Sequence, residues 1–313
     1  MASYLFRRSL VALASLAGAT FLTFLLIFLV PGDPAEMVAE ARFGHAVGER
    51  EVEIVRATEG FHQPLPIQYF RWLRHLLSLD LGYSLINRQP VLELIRSRLP
   101  ATLLLAFASL LLSLALALPA GLGAALKKDT WLDTFARLLA LLGVSIPGFW
   151  LSYLLIMFFS LHLKVLPVSG YGGVKALIMP SLALGLGMTG LVARLLRASL
   201  LEVQEQEYLW AARANGLRER KILYKYALKN ALIPVLTVIG LQLGTLLSGM
   251  VIIESIFGWP GLGKLLLDGI FNRDFPVVQG CVLVIAAGFI CVNVAVDLLY
   301  AWLDPRIRWA PGG

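Results

Sequence analysis

Gly258, Gly263 and Lys264 stand at the spacing of a phosphate-cradling loop, G-x4-G-K-[ST], whose amides and lysine hold phosphate while a hydroxyl ligates magnesium. Leu265 occupies the hydroxyl position and Pro260 removes an amide donor, so a helix-connecting turn is expected there instead of a nucleotide site. Gly185, Gly187 and Gly190 spell the dinucleotide fingerprint G-x-G-x-x-G, but inside an apolar run with no strand before it. Small residues in such a run let a second helix come close, and Gly240 with Gly244 reads the same way. Cys281 and Cys291 share one apolar run about 15 Å apart by helical rise, beyond disulfide reach. His45, His62, His75 and His162 form no metal-binding spacing, and no nucleophile elbow occurs. The chain is therefore expected to hold no catalytic, cofactor or metal site of its own. Glu254 and Asp297 are different, because they adjoin or interrupt long uncharged runs where an ionised group is costly and faces a cavity or a partner. They are candidates for a polar path; the alternative for each is a solvated helix end, with Arg306 and Arg308 as ion-pair partners for Asp297.

The elements that must position these residues follow from composition. Of 313 residues, 58% are hydrophobic and 15% charged, and the mean hydropathy is +0.77, whereas soluble domains carry about 25% charged residues. Disorder and a disulfide scaffold are excluded. The net charge of +7 is what the basic loops of a membrane protein give, and no nucleic-acid partner is expected. A membrane-crossing helix needs about 20 apolar residues. Uncharged runs of that kind cover Ser9–Val30, Leu99–Leu126, Leu138–Leu163, Ala176–Ala193, Ala231–Ile253 and Pro276–Val296, the last continuing past Asp297 to Leu303. An all-α integral membrane protein with six spans is expected. The first run exceeds a signal-peptide core of about 7–15 residues and reads as uncleaved. Pro119, Pro147, Pro180 and Pro234 lie within or beside four of the runs, where neighbouring helices can re-satisfy the freed carbonyls.

Basic residues in short loops set the orientation. With the N-terminus inside, the inner segments hold Arg7, Arg8, Lys127, Lys128, Arg137, eight Lys/Arg between 194 and 230, Arg306 and Arg308, against Lys164, Lys175, Lys264 and Arg273 outside. Both termini are expected in the cytoplasm. The chain then divides into a first helix (1–30), an external segment (31–98), a membrane bundle (99–303) and a cytoplasmic tail (304–313). Within 31–98, Ile67, Phe70, Leu73, Leu76 and Leu77 recur at helical spacing beside Arg71, Arg74 and His75. That predicts an amphipathic helix lying on the membrane surface or packed on the outer mouth of the bundle. Residues 194–230 predict an inner hairpin: helix formers from Glu205, a left-handed stop at Asn215-Gly216, and a second, basic amphipathic helix returning to the membrane. Ala211, Ala212 and Ala214 clothe its tip thinly, so another surface can come close.

The stretch Glu207-Tyr208, Ala211-Ala212-Arg213-Ala214-Asn215-Gly216-Leu217 and Leu228 through Pro234 resembles the "EAA" loop by which permease subunits of ABC importers dock on their ATPases. Asp80–Ser84, Leu166–Tyr171, Glu254–Gly263 and Leu303–Arg308 are similar to stretches of the dipeptide/oligopeptide/nickel branch of those inner-membrane permeases, and the likeness covers nearly the whole chain. It departs from the general loop pattern at Trp210, where a Glu would stand, and at Leu228-Lys229, where Leu-Pro would; both changes are familiar in that branch. The resemblance implies an ABC type-1 permease bundle, multi-pass in the bacterial cytoplasmic membrane and not itself an enzyme. It further implies a homologous second permease, two cytosolic ATP-binding subunits that hold the ATP and magnesium, and an external solute-binding protein. Glu207, Tyr208, Ala211, Ala212, Arg213, Ala214, Gly216 and Leu217 are then the ATPase-docking residues, and Glu254 and Asp297 the translocation-path candidates. The implied cargo is di- or oligopeptides or nickel, free or chelated. Gly172-Gly173 and Ile270–Asp274 lean toward the nickel-like members, although no His or Cys cluster lines a span. The competing reading is a secondary transporter or channel acting without ATPases, which requires buried ion-coupling acids in broken mid-membrane helices.

Overall fold

The computed structural model describes residues 2–29, 32–44 and 47–303; the tail 304–313, with Arg306 and Arg308, lies outside the described residues, as does the side chain of Asp297. The described residues are almost entirely helical. In chain order the elements are α1 (Ala2–Leu29), α2 (Pro34–Phe43), α3 (Glu49–Glu59), α4 (Leu65–Leu77), α5 (Val91–Leu126), α6 (Trp131–Ser145), α7 (Gly148–Leu155), α8 (Val174–Gln204), α9 (Glu207–Ala214), α10 (Glu219–Lys221), α11 (Leu228–Ile256), α12 (Leu262–Phe271) and α13 (Phe275–Leu303). Two π-helical segments join them: Ile156–His162 extends α7, and Ile222–Ala227 links α10 to α11. The chain forms two compact units, Met1–Thr102 with Pro260–Ile290, and Leu103–Trp259 with Cys291–Gly313.

In the first unit the polar segment makes three short helices with explicit ends. The Asp33 carboxylate accepts from Ala35 N at 2.9 Å and Pro34 opens α2, a position where the missing N–H costs nothing. The Glu51 side chain reaches back to Gly48 N at 3.1 Å to start α3, and Gly60 in the left-handed region ends it. The expected amphipathic helix appears as α4. Tyr69 and Trp72 pack on Phe24 of α1 at ring separations of 5.4 and 5.9 Å, and the Tyr69 hydroxyl meets Thr20 Oγ1 at 2.9 Å. Ile67, Phe70 and Leu77, from the apolar row read in the sequence, stay exposed. Val38, Ala39, Val55, Leu85 and Phe275 form one small core, and Val91, Ile95, Leu262, Val277 and Cys281 another.

In the second unit, α5, α8 and α11 supply long apolar elements. α5 begins eight residues before the expected Leu99, and its 36 residues rise about 54 Å. Among the described residues, four helices are long and apolar enough to cross a membrane: Val91–Leu126, Val174–Gln204, Glu219–Gly244 and Phe275–Val296. The third expected span is corrected. Leu138–Leu163 is not one straight helix; Trp131–Ser145 and Gly148–His162 meet at a 104° bend. Pro147 lacks the N–H that would continue the ladder and pushes Ile146 into extended backbone, at φ −82 and ψ 120. Counting that pair as one span gives five, and the first helix contributes the shorter apolar stretch Leu10–Leu25, so a count of six is not established.

The glycine patterns are contact surfaces, as expected. A Cβ on Gly190 would fall 2.2 Å from Ala140 O, and one on Gly240 would fall 2.4 Å from Val296 Cγ1. The phosphate-loop look-alike is a turn: Gly258 has φ +59 and α12 starts at Leu262, whose N–H is capped by Thr102 Oγ1 at 2.8 Å.

Candidate functional site

The hairpin departs from its expected shape. α8 runs on to Gln204, so the descending arm is the end of a span, and only the eight residues of α9 form a separate helix. The ascending arm is continuous with α11: α10 passes through the π-helical segment Ile222–Ala227 without a loop. π-helical turns insert an extra residue into a helix and recur at functional positions. Between the arms, Asn215 N bonds Ala211 O at 3.0 Å and Leu217 N bonds Ala212 O at 3.3 Å around Gly216. Gly216 has φ +75, the left-handed geometry inferred from the sequence, and nothing lies within 4 Å of where a Cβ would stand.

Across this turn Arg213 Nε donates to Glu219 Oε1 at 2.9 Å, and Asn230 Nδ2 donates to the Tyr208 hydroxyl at 2.7 Å. The faces of α9 are sharply sorted. Leu209 and Ala212 are buried, while Glu207, Tyr208, Trp210, Ala211, Arg213 and Ala214 are exposed. Ala212 therefore corrects the thinly clothed tip: it faces the protein, and only Ala211 and Ala214 present bare backbone. Leu209 and Ala212 belong to one core with Ala117 and Ala125 of α5, Val192, Leu196 and Leu200 of α8, Ile222, and Ala231 and Val235 of α11. A displacement of α9 must act on three long helices together, because interiors are packed too densely to absorb it. A cavity of about 240 Å³ lies beside α9, between Leu209, Arg213, Glu219, Arg220 and Leu126.

Glu254 sits near the far end of α11, 26 residues and about 39 Å of helical rise from its start. Its exposure is 0%, which overturns the solvated-helix-end alternative. The turn around it is closed by Trp259 N bonding Glu254 O at 2.8 Å, with Phe257 and Trp259 buried. Gly170 N bonds Phe257 O at 2.9 Å and the Tyr171 ring meets Trp259 edge-on at 4.9 Å, so the stretch Leu166–Tyr171 is fastened to residues 254–259. The structure thus gathers Glu207 through Leu217 at one end of α11 and places Glu254 near the other.

Two polar contacts escaped the sequence reading. Asp133 of α6, fully buried, takes both Arg197 Nε at 2.6 Å and Arg197 Nη2 at 2.7 Å, with Asp129 N at 3.1 Å on the same carboxylate. In the first unit, buried Asp274 accepts from Ser84 Oγ and from Leu85 N at 3.1 Å, fastening the Asp80–Ser84 stretch to the start of α13. Both pairs join residues far apart in sequence, and no local spacing signals them.

Long apolar helices, a helical hairpin seated in their common core and an acid buried near the opposite end define a multi-pass membrane transport component. Comparison with known proteins gives the family. Residues 117–309 match the family model described as binding-protein-dependent transport system inner membrane component, and residues 1–106 match its N-terminal companion. The chain belongs to this family of inner-membrane permeases. It is 39% identical over 309 residues to the glutathione transport system permease protein GsiC of Salmonella paratyphi A, covering 99% of this chain and all of that one. It is 40% identical over 317 residues to a Brucella abortus protein provisionally named a peptide transport system permease, again covering 99% and 100%. Among solved structures it is similar to the MetNI methionine ABC transporter, with a TM-score of 0.56 and 21% identity over 67% of this chain and 96% of that one. It is also similar to an amino acid ABC transporter crystallised with histidines, with a TM-score of 0.51 and 18% identity over 68% and 94%. The two solved structures share the fold, while the family and the full-length relatives support the importer reading over the self-sufficient transporter, and the relatives named here carry no indication of nickel.

Proposed function

We propose that the chain is one of two homologous permease subunits of an ATP-driven importer of short peptides, including glutathione-like ones. In this reading both termini face the cytoplasm, an external solute-binding protein delivers cargo, and two cytosolic ATPases hold the nucleotide and magnesium. Support for the cargo class comes from the names of the full-length relatives. The observation that carries the mechanism is the seating of α9: Tyr208, Trp210, Ala211 and Ala214 face outward while Leu209 and Ala212 are locked into the core shared by α5, α8 and α11.

ATPase closure pushes the outward face, and the shared core passes the displacement to the long helices. Nucleotide drives the change because it binds one state of the assembly better than the other. Glu254, at the opposite end of α11, lies on or beside the path. The test is reconstitution of the complex with Gly216→Val, which puts a β-branched residue at φ +75, and with Tyr208→Ala/Trp210→Ala, which strips the exposed face. Expected are intact permease pairs, loss of cargo-stimulated ATP hydrolysis and uptake, and weakened ATPase retention in a pull-down. Full stimulated hydrolysis in both variants would reduce the hairpin to a connector.

A further inference from the structure

A cavity of about 700 Å³ lies wholly within the first unit. Its apolar wall includes Phe24 and Phe28 of α1, Trp72 of α4 and Phe275 of α13. Phe24 and Phe28 belong to the last two turns of α1, whose residues Leu10, Leu13 and Leu22 are exposed and call for a hydrocarbon neighbour. α4 adds exposed Ile67, Phe70 and Leu77 beside Arg71 and Arg74, the mixed surface of a helix at a membrane interface. The cavity therefore stands where an apolar helix ends and charged residues begin, the depth at which hydrocarbon gives way to headgroups.

The charges on its wall are unevenly matched. Glu59 is engaged by Arg42, and Asp80 by His75 Nδ1 at 3.2 Å and by Gly82 N at 3.0 Å. Arg71 and Arg88, by contrast, donate only to neutral acceptors among the described residues: the Gln63 side chain and Glu59 O for Arg71, and Arg42 O at 2.7 Å for Arg88. Gly60 makes room for Arg71, since a Cβ there would fall 2.1 Å from its Nη1. The wall thus has two guanidiniums open to an anion and no uncommitted acid for an ammonium. An amphiphile with an anionic head fits; a zwitterionic peptide lacks a partner for its amino end.

We propose that this cavity binds one anionic phospholipid, its acyl portion against Phe24, Phe28 and Trp72 and its phosphate between Arg71 and Arg88. Guanidinium forks suit phosphate oxygens, and anionic headgroups are drawn to basic pockets beside membrane helices. The site depends neither on the cargo nor on which side of the membrane the segment faces.

The test is native mass spectrometry of the intact permease complex, delipidated in mild detergent and titrated with phosphatidylglycerol or with phosphatidylcholine of the same chains. Wild type is expected to prefer phosphatidylglycerol by about tenfold or more. Arg71→Gln/Arg88→Gln should bring the preference below about twofold, and Arg74→Gln, three residues on and off the cavity wall, should leave it intact and serve as the assembly control. An unchanged preference in the double variant, or no preference in wild type, overturns the proposal. So does displacement of the bound lipid by a dipeptide at comparable concentration, which would make the cavity a cargo site.

Discussion

Glu254 and the pair Asp133–Arg197 show how differently a buried charge reads in sequence and in space. Glu254 was legible because it ends an uncharged run, yet its burial was not, since a residue near a helix terminus has water as its default neighbour. Glu254→Gln keeps the shape and removes the charge. Uptake is expected to fall roughly tenfold, about the weight of one charge-assisted hydrogen bond, with expression of the complex intact. Equal uptake by the variant would remove Glu254 from the path. Asp133 and Arg197 are 64 residues apart, and Arg197 looked like one more basic residue of an inner segment. Without Arg197 the buried Asp133 carboxylate keeps only the half-exposed Arg137, at 3.5 Å, and the Asp129 N–H, so Arg197→Met should cost up to about 3 kcal/mol and lower the thermal midpoint of the purified complex. Asp133→Leu/Arg197→Met should recover most of that loss, because an apolar pair of similar volume replaces a desolvated ionic one. A double variant as unstable as the single one would show that the pair does more than neutralise itself.

At the scale of elements, apolar runs located the long helices well because hydrocarbon demands an unbroken stretch, and that demand is written residue by residue. Breaks inside a run are another matter. Leu138–Leu163 carries no Asp, Glu, Lys or Arg, and Pro147 is compatible both with a kink that neighbours repair and with the 104° bend that is found. Only the packing partner decides: α6 lies against α8 through Ala140 and Gly190, while Gly148 opens α7 near Ala183. Gly190→Leu should therefore separate α6 from α8, since even a Cβ there would fall 2.2 Å from Ala140 O. Cross-linking between cysteines placed at Val144 and Gly187 should drop severalfold relative to the parent, and cross-linking at wild-type level would show that α6 is held elsewhere. The hairpin was legible in its turn, where Asn215-Gly216 has few conformations to choose from, and illegible in its arms. Helix propensity gives no sign that α8 continues to Gln204 or that Ala212 turns inward, because both follow from the core around Leu209.

At the scale of the whole molecule, the proposed topology makes a two-sided expectation. Cysteines at Glu53 and Asn215, both exposed, should react with an impermeant maleimide from opposite sides of sealed vesicles, and labelling of both from one common side would sink the six-span topology. α6 also carries an exposed row, Phe135, Leu138, Leu139 and Leu142, that requires lipid or the companion permease as cover. The π-helical segment Ile222–Ala227 has a consequence of its own. A π-helical turn holds about one residue more than an α-helical turn, so the segment takes up an extra residue as a bulge with nearly the rotation and rise of one residue fewer in α-helix. The azimuth at which α9 leaves the membrane helices is thus insulated from a change of one residue in the length of the ascending arm. Deleting Tyr224, which is exposed, would restore α-helical hydrogen bonding and leave the direction of the hairpin nearly unchanged. Two homologous permeases that differ by one residue here can therefore still present their hairpins in the same phase.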